Sequence, residues 1–158
     1  MTLSLTSSAF AHEDDMPPRY TCDGDNLSPP FSWNGVPAAA KSLVLIVDDP
    51  DAPDPKAPRM IWVHWILYNI PPAAGGLVEG IAVDKLPSGT RRGTTDSKVL
   101  DYRGPCPPIG RHRYFHKLYA LDCLLPDLGS PTKAKLEEAM RGHVLAEAQL
   151  IGTYERRK

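Results

Sequence analysis

Proline punctuates this chain too often for long helices and too evenly for one disordered tail. Seventeen prolines and twelve glycines are spread along 158 residues, and each proline fixes φ, removes a backbone donor and biases the residue before it to extended geometry. Such a chain is built from short strands joined by shaped turns. Three apolar runs lie between the turns: KSLVLIVDD (41–49), RMIWVHWILYNIPP (59–72) and HRYFHKLYALDCLLP (112–126). The first holds five consecutive apolar residues, Leu43 to Val47, which suits a strand buried on both faces.

The turn that follows that first run is IVDDPDAPDPKAPRM (46–60), with prolines at 50, 53, 55 and 58 among four aspartates. A solvated loop needs charge but not that much rigidity, so the turn is read as holding something in place. Asp48 and Asp54 are expected to be merely solvated. In the second run, strict alternation places Met60, Trp62, His64, Ile66, Tyr68 and Ile70 on one face and Ile61, Val63, Trp65 and Leu67 on the other. His64 is then a histidine inside an apolar strand. A buried histidine with satisfied nitrogens is the plainer reading, and the neighbouring aspartate turn favours a site instead.

The third run puts His112, Tyr114 and His116 on one face and Arg113, Phe115 and Lys117 on the other. Just upstream, GPCPPIG supplies glycines that let backbone approach a ligand and prolines that fix its path. An aspartate bonded to one imidazole nitrogen would orient the ring and leave the other N–H as a donor to an anion. Arg113 is expected to pair with a carboxylate of the 48–51 turn. Arg59, Arg103 and Arg111 are near enough in sequence to rim such a pocket, but arginines beside loops usually face solvent, and none of the three is assigned to it.

Near the C-terminus, SPTKAKLEEAMRGH predicts one helix over about residues 132–143, stopped by Gly142, with Leu136, Met140 and His143 on one face. The segment after it alternates Ala146, Ala148, Leu150, Gly152 and Tyr154 with polar residues and reads as a strand. MTLSLTSSAFAHEDD reads as a first strand and not an export signal, because it lacks a basic start and its apolar stretch is interrupted. The whole chain, 1–158, is expected to be a single domain of mainly β class.

Eighteen basic and nineteen acidic side chains give a net charge of −1, which supplies no overall field for nucleic acid or an anionic membrane. No run approaches the roughly 18 apolar residues of a transmembrane helix. Three cysteines, Cys22, Cys106 and Cys123, form no CxxC pair and too sparse a set for a disulfide framework, so reduced thiols and a cytoplasmic location are expected. No cofactor and no metal are expected.

Several segments together resemble the phosphatidylethanolamine-binding proteins, also called Raf kinase inhibitor-like proteins, in their small bacterial and archaeal branch. They are YTCDGDNLSPPFSWNGVP (20–37), KSLVLIVDDPDAP (41–53), WVHW (62–65), GPCPPIGRHRY (104–114), LYALD (118–122) and HVLAEAQLIGTYER (143–156). The resemblance implies a Greek-key β-sandwich of two antiparallel sheets with a late helix, a cis bond before Pro53, and a pocket for a small anion or phosphorylated head group. Its ligand-binding residues would be Asp49, Asp51, His64, Gly104, Cys106, Pro107, Pro108, His112 and Tyr114. His116 stands where relatives carry an apolar residue, and TTDSKVLDYR (94–103) departs from their usual pattern at the pocket mouth.

The reading that follows is non-catalytic ligand binding, with regulation of a kinase or protease partner implied by the resemblance alone. A hydrolase with an Asp-His general base is the rival, since the residue types permit it. The chain has no Gly-x-Ser-x-Gly elbow, Walker loop or HExxH.

Overall fold

In the computed structural model, which describes residues 2–156, the apolar runs form the middle of a five-stranded sheet. The elements in chain order are β1 (Ser4–Thr6), β2 (Phe31–Asn34), β3 (Ser42–Ala52), β4 (Met60–Ile70), β5 (Gly76–Leu77), β6 (Arg91–Arg92), β7 (His112–Leu121), α1 (Lys133–Met140) and β8 (Val144–Tyr154). One antiparallel sheet runs β6-β4-β3-β7-β8 and the other β1-β2-β5. Strands β3, β4 and β6 are sequential neighbours, and β7 returns to lie beside β3, which is the order of a Greek key. Among the described residues no helix is long and apolar enough to cross a membrane.

β3 is buried on both faces, as its unbroken apolar run requires. Leu43, Leu45 and Val47 pack between the sheets against Leu5, Phe31, Trp33, Leu118 and Leu150. Val44 and Ile46 pack on the opposite side against Leu136 and Met140 of α1. The helix is shorter than the sequence predicts. Thr132 caps it by accepting from the Lys135 N–H at 3.3 Å, and the chain leaves helical geometry at Arg141, one residue before Gly142 at φ +83°. His143 therefore does not share the buried face of Leu136 and Met140. It is exposed and bonds Asp122.

Strict alternation fails in β4. Val47 pairs with Trp65 but Asp48 pairs with Val63, so His64 is an extra residue on the β4 side. This bulge turns His64 and Trp65, adjacent in sequence, toward the same side of the sheet. A second slip lies between the Leu45–Leu67 and Leu43–Ile70 pairs, where Asn69 has φ +56°. Its side-chain amide bonds both the N–H and the C=O of Leu125. Ile66 and Tyr68 consequently face the helix, while Trp65, Leu67 and Ile70 face the inter-sheet core. The two-face division expected of residues 60–70 is corrected accordingly.

Asp48 is also corrected. It is 1% exposed, and its Oδ2 accepts from Lys117 Nζ at 3.1 Å and Lys133 Nζ at 2.9 Å. The carboxylate fastens the start of α1 to the sheet. Asp54 behaves as a turn aspartate, with Oδ1 accepting from the Lys56 N–H at 2.9 Å.

Candidate functional site

Four segments far apart in sequence meet at one end of the sheet. The end of β3 contributes Asp49, β4 contributes Trp62 and His64, the loop before β7 contributes Gly104, Cys106, Pro107 and Pro108, and the start of β7 contributes His112 and Tyr114. They line a cavity of about 490 Å3 together with Cys22, Asn26, Met60, Ser97 and Arg103. The Ala52–Pro53 peptide bond at its edge is cis.

The Tyr114 ring stands between the two imidazoles. It meets His64 edge-on at 5.3 Å between centroids and stacks on His112 at 6.3 Å. Burial, with nearby Asp49 adding to it, holds the Tyr114 phenol well above the ordinary tyrosine range, so it stays a donor.

The two histidines are held differently. His64 Nδ1 lies 2.5 Å from the Arg103 carbonyl, an acceptor, so it carries the hydrogen and donates. Nε2 is then a lone pair, buried and without a hydrogen-bond partner among the described residues. Burial pushes the His64 pKa below its ordinary value, against the opposing pull of the Arg103 carbonyl. A neutral ring with an idle acceptor results. His112 Nδ1 lies 2.5 Å from Asp49 Oδ2, while Nε2 faces the carbonyls of Pro53 at 3.1 Å and Ile109 at 2.9 Å. Both nitrogens therefore address protein acceptors, and the free outward N–H expected of an aspartate-held imidazole is already committed here. His112 and Asp49 stiffen the floor instead.

Asp49 is further fixed because its Oδ1 accepts from the Asp51 N–H at 2.7 Å. Asp51 itself is not part of the cavity wall. Its carboxylate takes three hydrogen bonds from Arg113, one from the backbone N–H at 2.9 Å and two from the guanidinium at 2.9 and 3.0 Å. That is the cross-strand tie expected of Arg113. His116 is likewise outside the pocket, fully buried between Phe10 and Phe31 with Nδ1 on the Leu150 carbonyl.

The loop wall is stapled. Cys22 and Cys106 form a disulfide across 84 residues, which overturns the reading of these cysteines as reduced thiols. Sequence spacing carried no sign of it, since both simply sit in turn-rich segments. Around the bridge, the Cys22 N–H donates to the Pro105 carbonyl at 3.1 Å and the Gly104 N–H to Asn26 Oδ1 at 2.8 Å. Tyr102 donates its hydroxyl hydrogen to the Tyr20 carbonyl at 2.9 Å. Gly104 is required for this closeness, because a Cβ there would lie 2.1 Å from the Tyr20 carbonyl oxygen.

Arg103 lines the cavity, as do Cys22, Asn26, Met60, Trp62 and Ser97, none of which the sequence reading assigned to the site. Its backbone pairs with His64 in both directions, as N–H to the His64 carbonyl and as carbonyl to the ring, and its side chain is exposed at the cavity. A sequence signal existed only in its place directly before the Gly-Pro-Cys loop.

A sequence model described as phosphatidylethanolamine-binding protein matches residues 6–155. The chain belongs to the phosphatidylethanolamine-binding protein family. It is 52% identical over 155 residues to a UPF0098 protein of Methanothermobacter thermautotrophicus, an alignment covering 98% of this chain and 99% of that one. A solved phosphatidylethanolamine-binding protein homologue from Chlamydia trachomatis superposes with a TM-score of 0.90 at 43% identity, covering 99% of each chain. E. coli YbcL, described as a member of the mammalian family, superposes at 0.88 with 28% identity, covering 99% of this chain and 100% of its own. These phosphatidylethanolamine-binding protein relatives share the two-sheet sandwich described above.

Proposed function

We propose that this chain acts as one domain that binds, without chemically changing, the singly protonated monoanion of a phosphomonoester, such as a phosphorylated head group, in the cavity between His64, Tyr114 and Arg103. The observation that carries this reading is the idle Nε2 acceptor of His64 beside a phenol that stays protonated. A phosphate monoanion offers both a P–OH to donate to His64 Nε2 and oxygens to accept from the Tyr114 hydroxyl and the Arg103 side chain, making charge-assisted bonds. The dianion of a phosphomonoester would bring only lone pairs to His64 and to the nearby Asp49. The pocket therefore selects the protonated form.

The non-catalytic part of the reading rests on how the reactive groups are used. Cys106 is in a disulfide, and His112 has both nitrogens engaged. Neither is poised as nucleophile or proton shuttle. A cytoplasmic placement would expose the Cys22–Cys106 bridge to reductant, so the compartment and the pocket are physically linked.

Calorimetry with methyl phosphate, a phosphomonoester that loses its last P–OH at the second ionisation, and with sulfate, at pH 5.5 and pH 8, tests the proposal. The second ionisation of a phosphate lies at about pH 6 to 7, so methyl phosphate affinity should fall across this range, while sulfate, which has no proton to give, should bind weakly at both. His64→Leu should remove the preference for methyl phosphate. Equal binding of both anions at both pH values would overturn it.

A further inference from the structure

β7 runs from the pocket at His112 to Leu121, ten extended residues or roughly 30 Å. At its far end the chain turns through Asp122 and Cys123, and His143 arrives beside them from the end of α1. Backbone contacts fix all three. The Asp122 N–H donates to the His143 carbonyl at 3.0 Å, the His143 N–H to the Met140 carbonyl at 2.9 Å, and Ser42 Oγ to the Cys123 carbonyl at 2.7 Å.

Their side chains converge on one carboxylate. His143 Nδ1 lies 2.8 Å from Asp122 Oδ1, and the Cys123 thiol lies beside the pair. One oxygen, one sulfur and one nitrogen lie within 4.8 Å of one another. Around zinc, with bonds of about 2.0–2.3 Å, ligand atoms at tetrahedral angles sit roughly 3.3–3.8 Å apart.

We propose that Asp122, Cys123 and His143 form a three-ligand site for a thiophilic divalent cation of the zinc class, with water in the fourth position. Thiolate and imidazole select zinc over magnesium or calcium, which take oxygen ligands. On uptake, Cys123 loses its hydrogen as a released proton, and the imidazole hydrogen moves to Nε2 so that Nδ1 can ligate. The ion would clamp the end of β7 to the start of β8. Neither the spacing nor any CxxC pair points to it in the sequence, because Cys123 and His143 stand 20 positions apart.

Cobalt(II) added to the full chain after removal of metal by chelator provides the test. Cys22 and Cys106 are bonded to each other, so of the chain's three cysteines only Cys123 has a free thiol. A thiolate-to-cobalt charge-transfer band in the near ultraviolet should appear with one equivalent and vanish when zinc displaces cobalt. Zinc, but not magnesium, should raise the melting midpoint by mass action. Cys123→Ser should abolish the band, and His143→Gln should weaken binding by at least about tenfold. Both variants should melt like the wild type in chelator, and His12→Gln should titrate unchanged. No band with excess cobalt, a band that survives Cys123→Ser, or affinity unaltered in His143→Gln would overturn the site.

Discussion

The Arg113 guanidinium grips the Asp51 carboxylate with two hydrogen bonds, and the Arg113 backbone N–H adds a third to the same group. β7 is thereby tied to the corner that carries Asp49, so the tie positions the pocket floor without touching a ligand. These bonds, led by the side-chain one, hold the Asp51 pKa below its ordinary value. A depressed carboxylate contributes stability above its unfolded pKa that is lost as pH falls through the folded value. Asp51→Asn should cost about 1–3 kcal/mol near neutral pH, measured by urea unfolding. The deficit should shrink below about pH 4, and a deficit unchanged by acid would refute the ionic part of this account.

His116 gives acid sensitivity in a separate window. Burial pushes its pKa down to about 4, outweighing the bond to the Leu150 carbonyl. As pH falls through 6.5 the unfolded chain takes up a proton that the folded ring refuses until near 4, so stability declines across that interval. The full loss from this ring is about 3 kcal/mol. His64, lowered in the same direction, adds to it. His116→Leu should flatten the stability profile between pH 6.5 and 4 while leaving the Asp51 decline below it. An identical profile in the variant would refute this.

The Cys22–Cys106 bridge is expected to govern the cavity as well as stability. Loop-closure entropy for 84 residues corresponds to about 4–5 kcal/mol in the chain-entropy account. Reduction breaks the bond while leaving the Asn26, Pro105 and Tyr20 contacts to hold the wall unaided. Reduced protein, or Cys22→Ser with Cys106→Ser, should melt lower and bind methyl phosphate more weakly. Calorimetry on folded, reduced protein separates the two effects, and unchanged methyl phosphate affinity would show the wall to be independent of the bridge.

The sheet's middle was legible because β3 and β7 obey their simplest patterns. Five apolar residues in a row put Leu43 to Val47 inside, and alternation put His112, Tyr114 and His116 on one face. β4 was not legible, since a bulge leaves no mark in composition and both Trp65 and Ile66 satisfy either face. The pocket residues Asp49, His64 and Tyr114 could be named in advance, but not their roles. Which carbonyl an imidazole meets depends on loops such as 104–110, whose path is set by contacts with Tyr20, Cys22 and Asn26. Asp48 was misjudged for a similar reason: its partners Lys117 and Lys133 arrive from 69 and 85 positions along the chain.

The extra residue at His64 divides β4 into two halves that are out of phase. Trp62 and His64 answer to the cavity, while Trp65 and Leu67 answer to the interior, and the slip between them uncouples the two demands. Ligand preference can thus be rewritten at the outer half, one side chain at a time, without re-registering the hydrophobic layer on which folding depends.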